Sequence, residues 1–203
     1  KMSFRKEKKF RLTINEFYLM KNLLIENGMT KLYRTRKVNS IYFDNLSYDM
    51  FNQSEEGVVP RKKIRIRWYE DINRFVLEKK ISSIEGRLKT TEIYTLNSNI
   101  EEIIKCSLYD KDYGVIHPTL KVSYNREYCM FKKMRITFDS NILYKNITLN
   151  PILEYKDPER VVEIKTPIGF GDDFIEKSIP YQTSRFSKYS RGLLISNKQF
   201  SEF

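Results

Sequence analysis

The sequence predicts one α+β domain over residues 1–203, built mainly from antiparallel strands with helices at the edges. Three observations predict it. Segment after segment alternates apolar and charged residues with a period of two, the mark of a half-buried strand. A few other stretches space their apolar residues three and four apart, behind residues that cap helices. No repeat, low-complexity tract or Pro/Gly-rich linker divides the 203 residues.

Residues 4–12 open the chain as a strand, with Arg5, Glu7, Lys9 and Arg11 alternating against Phe4, Phe10 and Leu12. Thr13 and Glu16 form a capping box for a helix that carries Phe17, Met20, Leu23 and Leu24 and stops at Gly28. Residues 38–44 read as a strand, and 47–56 as a short helix ended by Gly57. Strands at 61–69 and 74–82, separated by the polar residues 70–73, form a hairpin. Residues 85–92, with Arg87 and Lys89 two apart, continue the pattern. A helix over 99–109 sets Ile100, Ile103 and Ile104 on one stripe. Strands at 118–128, 131–139 and 160–166 follow, and helices at 172–179 and 188–200 close the chain.

The segment 61–69 is the most telling. Written as a strand, it places Arg61, Lys63, Arg65, Arg67 and Tyr69 on one face and Lys62, Ile64, Ile66 and Trp68 on the other. Its cations then stand about 7 Å apart and repel one another unless an anion faces them. A solvated basic face is the plain explanation for one such strand. The pattern recurs, however, with Glu78 and Lys80, with Arg126, with Arg135, and with Glu163 and Lys165. If these faces meet water, the strands make a sandwich. If they point inward, they line a wet basic channel, and about eight strands enclose room for one small ligand. Periodicity leaves the two open.

The net charge of +11 implies an anionic partner. Because Lys and Arg sit inside strand patterns and not in tails, a shaped site is expected. Cys106 and Cys129 are too few and too far apart for a disulfide framework or a zinc site, and the single histidine, His117, reads as a turn residue ahead of Pro118. Gly169-Phe-Gly171 lacks the rest of a phosphate-cradling motif and reads as a turn; Asp172 and Asp173 read as helix caps. No apolar run approaches the roughly 18 residues of a membrane span, and there is no signal peptide, so no direct membrane insertion and a cytoplasmic protein are expected. Nucleic acid is disfavoured as a partner, because Trp68 and the isoleucines lie opposite the ladder and not beside it.

Read in order, the pieces resemble a known family. Val38-Asn-Ser-Ile-Tyr-Phe-Asp-Asn, Glu56-Gly, Arg65-Ile-Arg67-Trp-Tyr, Leu77-Glu-Lys-Lys80, Tyr124-Asn-Arg126, Arg135-Ile-Thr-Phe-Asp139, Val162-Glu-Ile-Lys165 and Phe186-Ser-Lys188-Tyr resemble the VTC domain, the polyphosphate polymerase domain of the triphosphate tunnel metalloenzymes. The resemblance implies a closed antiparallel barrel of about eight strands, with a basic interior and helices packed outside. It implies an ATP–polyphosphate phosphotransferase that needs Mn²⁺ or Mg²⁺ and acts on ATP and inorganic polyphosphate or pyrophosphate. Carried over, Arg65, Arg67, Lys80, Arg126 and Lys188 correspond to catalytic cations. Lys9, Lys63, Arg135, Lys165, Arg185 and Ser187 correspond to substrate-binding groups, and Glu163, with Glu7 as a second candidate, to the metal ligand. Arg185 stands where a Lys is familiar, which trades a point charge for a planar fork. A tripolyphosphatase or nucleoside triphosphatase on the same fold, and a non-catalytic polyanion or RNA binder, are the alternatives.

Overall fold

The computed structural model describes residues 5–70, 72–84, 86–93, 99–167 and 179–197. In chain order the elements are β1 (Arg5–Leu12), α1 (Ile14–Glu26), β2 (Thr30–Asp44), α2 (Asp49–Glu56), β3 (Arg61–Tyr69), β4 (Ile72–Ser83), β5 (Gly86–Ile93), α3 (Ile100–Lys105), β6 (Leu108–Asp110), β7 (Gly114–Phe131), β8 (Met134–Asn146), β9 (Glu154–Lys156), β10 (Arg160–Pro167) and α4 (Lys188–Ser196). The ten strands form one antiparallel sheet. Its main path runs β1-β10-β8-β7-β2-β3-β4-β5, with β6 added beside β7 and β9 beside β8.

The sheet is strongly curved. β1 and β4 lie six places apart on that path, which in a flat sheet would separate them by roughly 28 Å. Instead Lys80 Nζ on β4 lies 3.6 Å from Glu7 Oε2 on β1. The concave face therefore brings side chains from opposite ends of the sheet into contact.

Helices cover part of the convex face. The capping box forms as expected, with Thr13 N donating to Glu16 Oε2 at 2.8 Å, and α1 buries Phe17, Met20 and Leu24. These pack on Phe10, Leu12, Ile136, Phe138, Val162 and Ile164 from β1, β8 and β10. Leu23, expected on this stripe, is 38 % exposed. A second convex cluster joins Ile41, Phe43, Ile64, Ile66, Trp68 and Phe75 to Ile103 of α3 and Met50 of α2. So Ile64, Ile66 and Trp68 lie on the opposite face from Arg65 and Arg67.

The expectation that the helices pack outside a basic interior is corrected for α4. Part of the concave face is an apolar floor, where Val38, Tyr42, Leu120, Val122, Ile142 and Tyr144 pack under Tyr189 and Leu193 of α4. A Cβ on Gly192 would fall 2.5 Å from Leu120 Cδ2 and Tyr144 Cδ1, so α4 can lie this close only with glycine there. Both faces of β2 from Val38 to Asp44 are consequently buried.

Several boundaries also differ. β2 begins at Thr30, because its exposed, charged first half carries no apolar alternation. The helix expected over 99–109 stops at Lys105, and Leu108–Asp110 pair instead with the start of β7. His117 accordingly sits within β7, where its Nδ1 meets Ser107 Oγ at 3.0 Å. β8 continues past Asp139 through a register shift opposite Ser123 and Asn125, where Asn141 takes a φ of 50°. Such a bulge changes which residues face inward, and a period of two cannot anticipate it. The three-residue strands β6 and β9 are too short to leave a pattern. The expected turn at 169–171, the candidate caps Asp172 and Asp173, helix residues 172–178 and 198–200, and strand residue 4 lie outside the described residues. Among the described residues no helix is long and apolar enough to cross a membrane.

Candidate functional site

The concave face beyond the apolar floor is lined by charge. On β3, alternation sets Lys63, Arg65 and Arg67 inward. Arg65 donates to Glu78 Oε2 at 2.7 Å and to the Tyr42 hydroxyl at 2.8 Å. Arg67 donates to Ser40 Oγ at 3.2 Å and to the Tyr124 hydroxyl at 3.1 Å. Burial raises the Tyr42 phenol, but Arg65, Arg67 and Lys188 outweigh it and hold the group below its ordinary value. Burial also works against Glu78, and Arg65, Arg67 and Lys89 hold that carboxyl well below the usual range.

Across the cavity, pairing in register builds a second set. β1, β10 and β8 align Glu7, Lys165 and Arg135 in one row and Lys9, Glu163 and Thr137 in the next. Lys165 Nζ lies 3.3 Å from Glu7 Oε1 and 3.1 Å from Glu163 Oε1, while Arg126 Nη2 is 3.9 Å from Glu163 Oε2. Burial favours the neutral form of Glu163; Lys165, Lys9, Arg126 and Lys188 overcome it and keep the carboxyl well below its ordinary value.

Asp139, with no exposed surface, ties this set to α4. It accepts two bonds from Arg126 at 2.6 and 2.7 Å and one from Lys188 Nζ at 2.6 Å. A lysine in the first turn of a helix opposes the macrodipole, so the position of Lys188 depends on Asp139. Ser187 caps α4, accepting from Ser190 N at 3.4 Å, and also accepts from Lys63 Nζ at 2.7 Å. Lys9 Nζ donates to the Phe186 carbonyl at 2.7 Å. Burial, reinforced by Lys9, Arg61 and Lys80, lowers the Lys63 ammonium to about 7. Burial lowers Lys9 to about 8, with Glu163 opposing and Lys80 and Lys188 assisting.

The structure thus gathers Lys9, Lys63, Arg65, Arg67, Lys80, Arg126, Arg135, Lys165, Ser187, Lys188, Glu7 and Glu163 on one concave face. Arg185 stands apart. It is exposed and donates to the Ser54 carbonyl near the end of α2. Asp139, Glu78 and Arg36 are interior groups that sequence reasoning assigned no role. Asp139 and Glu78 share strand parity with Arg135 and Lys80, which is a usable signal. Arg36 precedes the expected start of its strand, and its register with β7 shifts just before it.

Glu7 and Glu163 suit a divalent cation in part. Their oxygens converge on a single positive centre, and a hard cation can be held by one or two carboxylates with phosphate oxygens completing its shell. Among the described residues no group of three His, Cys, Asp or Glu side chains could hold a metal ion.

The VTC domain family profile matches residues 4–197. The chain belongs to the VTC domain family. Its fold is shared with solved structures of low sequence identity. A conserved hypothetical protein from Pyrococcus furiosus is 12% identical with a TM-score of 0.55, over 91% of this chain and 98% of that one. A candidate adenylate cyclase from Bacillus halodurans is 14% identical with a TM-score of 0.55, over 91% and 96%. A candidate adenylyl cyclase from Hippeastrum with a dominant triphosphatase activity is 16% identical with a TM-score of 0.51, over 95% of each chain. No curated protein matches this VTC domain sequence.

Proposed function

We propose that this domain transfers the γ-phosphoryl group of ATP onto the end of a growing polyphosphate and releases ADP, inside a basic channel formed where the curved sheet closes on itself. One observation carries the reading. Arg36 Nε, Arg135 Nε and Thr137 Oγ1 are buried with no hydrogen-bond partner among the described residues. Buried donors are ordinarily paired, and two guanidinium nitrogens without partners, on a face already crowded with cations, call for an acceptor-rich anion. Condensed phosphate supplies one.

Phosphoryl transfer asks the protein for positioning and charge neutralisation more than for a covalent intermediate. Arg65, Arg67 and Arg126 present rigid forks, already oriented by Glu78, Ser40, Tyr124 and Asp139. Lys80 and Lys188 act with them on the transferred phosphoryl group. Lys9, Lys63, Arg135 and Lys165 hold the remaining phosphates, with Ser187 at the entrance to α4, and Arg185 would join them only by leaving the Ser54 carbonyl. A bound Mn²⁺ or Mg²⁺, held by Glu163 and Glu7 together with phosphate oxygens, would neutralise charge on the phosphates.

The test is to incubate the protein with ATP and Mn²⁺ and to separate acid-labile polymer from orthophosphate. Polymer that lengthens with time, with ADP released in step, is the expected result. Orthophosphate and ADP in equal amounts, with no polymer, would assign the site to hydrolysis, the second reading, which the triphosphatase activity of the Hippeastrum protein favours. ATP left unchanged across a range of metals would remove both.

A further inference from the structure

A second group of cations lies on the other side of the sheet. Beside the start of α3, on the convex face, a groove of about 750 Å³ crosses β9, β8, β7, β2 and β3 and is lined by Lys37, Lys121, Lys145, Asn39, Ser123 and Trp68, among others. Lys121 and Lys145 are directly opposite one another in the β7–β8 ladder, an arrangement that is destabilising unless an anion intervenes. Lys37 pairs with Glu70 at 2.8 Å and Lys145 with Glu154 at 3.1 Å. All four of those side chains reach solvent, so both pairs are weak and cheap to open. Lys121 has no ion pair among the described residues and rests 5.8 Å above the Trp68 ring. Burial, then Lys145 and Lys37, push its ammonium below the ordinary value, with Glu154 opposing them. Asn39 Oδ1 accepts from Ser123 Oγ at 2.8 Å, which leaves the Asn39 amide nitrogen as the remaining donor of that pair.

We propose that this convex-face groove is a separate binding site for a small diphosphate-bearing molecule, with Lys121, Lys145 and Lys37 gripping the phosphates. The size suits a small ligand and not a chain. Two phosphate groups are needed because the ligand has to compete with Glu70 and Glu154 for two of the three lysines. The apolar wall of Trp68, Phe75, Ile100 and Leu143 can also take an organic body, so the diphosphate can be free or part of a nucleotide. The site does not depend on the reaction proposed for the concave face.

Trp68 is the only tryptophan of the chain, so its fluorescence reports on this groove directly. The intact protein is titrated with pyrophosphate and with ADP, beside sodium sulfate at matched ionic strength. A saturable change with ADP or with both ligands is expected, and sulfate should give none. ADP alone would show that the apolar wall takes the base; pyrophosphate as well would show that the diphosphate suffices. The double variant Lys121→Gln, Lys145→Gln should weaken the response about tenfold or more, since each lost charged contact is worth roughly a factor of ten. Its turnover of ATP should be unchanged. Arg65→Ala, on the concave face, should retain the response. A response that is lost in Arg65→Ala but kept in the double variant, or that sulfate reproduces, or no response at all, would overturn the site.

Discussion

Across β1 and β10 the interior charges alternate in sign, with Glu7 beside Lys165 and Lys9 beside Glu163, and Arg135 of β8 adds one cation. Across β3, β4 and β5 they accumulate, with Lys63 beside Lys80 beside Lys89 in one row and a single acid, Glu78, shared by Arg65, Arg67 and Lys89 among the described residues. The first wall is close to neutral by itself and keeps its carboxylates ionised by their lysine and arginine neighbours. The second keeps an excess of positive charge that only an anion can balance. The difference assigns the walls different work. An alternating wall can hold a cation and a phosphate together, whereas an accumulating wall can hold phosphate alone.

The largest effect should come from breaking the link between the alternating wall and α4. Asp139→Ala would leave Arg126 and Lys188 facing each other without their shared acid. Removing one partner of a buried pair typically costs about 3–5 kcal/mol, and thermal melts should show the loss directly. A melting temperature close to that of the parent would mean that the buried acid is not what positions those two cations.

Next in size is phosphate grip, which should depend on both walls. Arg65→Ala or Arg135→Ala removes a charge-assisted contact worth about 1.5–3 kcal/mol. Turnover of ATP should therefore fall roughly tenfold to a hundredfold with the fold intact. Arg65→Lys should be impaired as well, because the planar fork is lost. Full activity in either alanine variant would reduce that wall to a solvated face.

The contrast is sharpened by metal. Glu163→Gln keeps the shape of the alternating wall but withdraws charge from a hard cation's oxygen shell. The Mn²⁺ concentration for half-maximal activity should rise, whereas Arg67→Gln on the accumulating wall should weaken ATP binding and leave that midpoint in place. An unchanged Mn²⁺ titration for a folded Glu163→Gln protein would make Glu163 an ion-pair partner of Lys165 and Arg126, with Glu7 the remaining candidate.

The smallest effect concerns protons. With Lys63 at about 7, the free protein has largely lost this proton at pH 8, and a phosphate anion should restore it. Binding should therefore take up protons, and affinity should decline as pH rises above about 7. Calorimetry in two buffers of different ionisation enthalpy measures the uptake, and Lys63→Arg, which cannot deprotonate, should reduce it. For folding the sign runs the other way. Between the folded value and the ordinary lysine value the unfolded chain holds the extra proton, so the Lys63 contribution makes stability rise with pH across that window. Equal proton uptake by the parent and Lys63→Arg would remove Lys63 from the phosphate site.

Much of this site can be read in the chain because charge alternation survives wherever a strand is regular. Lys63, Arg65 and Arg67 share a parity, as do Glu163 and Lys165, and each of those faces is the concave one in the structure. Asp139 was legible by the same rule from Arg135. Arg36 was not, since β2 shifts register against β7 before it and its strand begins in an exposed, patternless stretch. The continuation of β8 beyond Asp139 was hidden by the irregularity at Asn141, which moves Ile142 and Tyr144 onto the floor beneath α4.

The sequence by itself determined the class of the protein, the antiparallel strands, the basic faces and membership of its family, because local periodicity and motif order are properties of the chain alone. Only the tertiary structure decided which charges meet. Glu7 and Lys80 are distant in sequence and on the sheet path, and they touch because the sheet curves; Asp139 bridges Arg126 and Lys188 because α4 packs onto the concave floor. The convex groove has the same origin, since Lys37, Lys121 and Lys145 become neighbours only through strand pairing. Coulomb energy depends on distance in space, and the sequence records only distance along the chain.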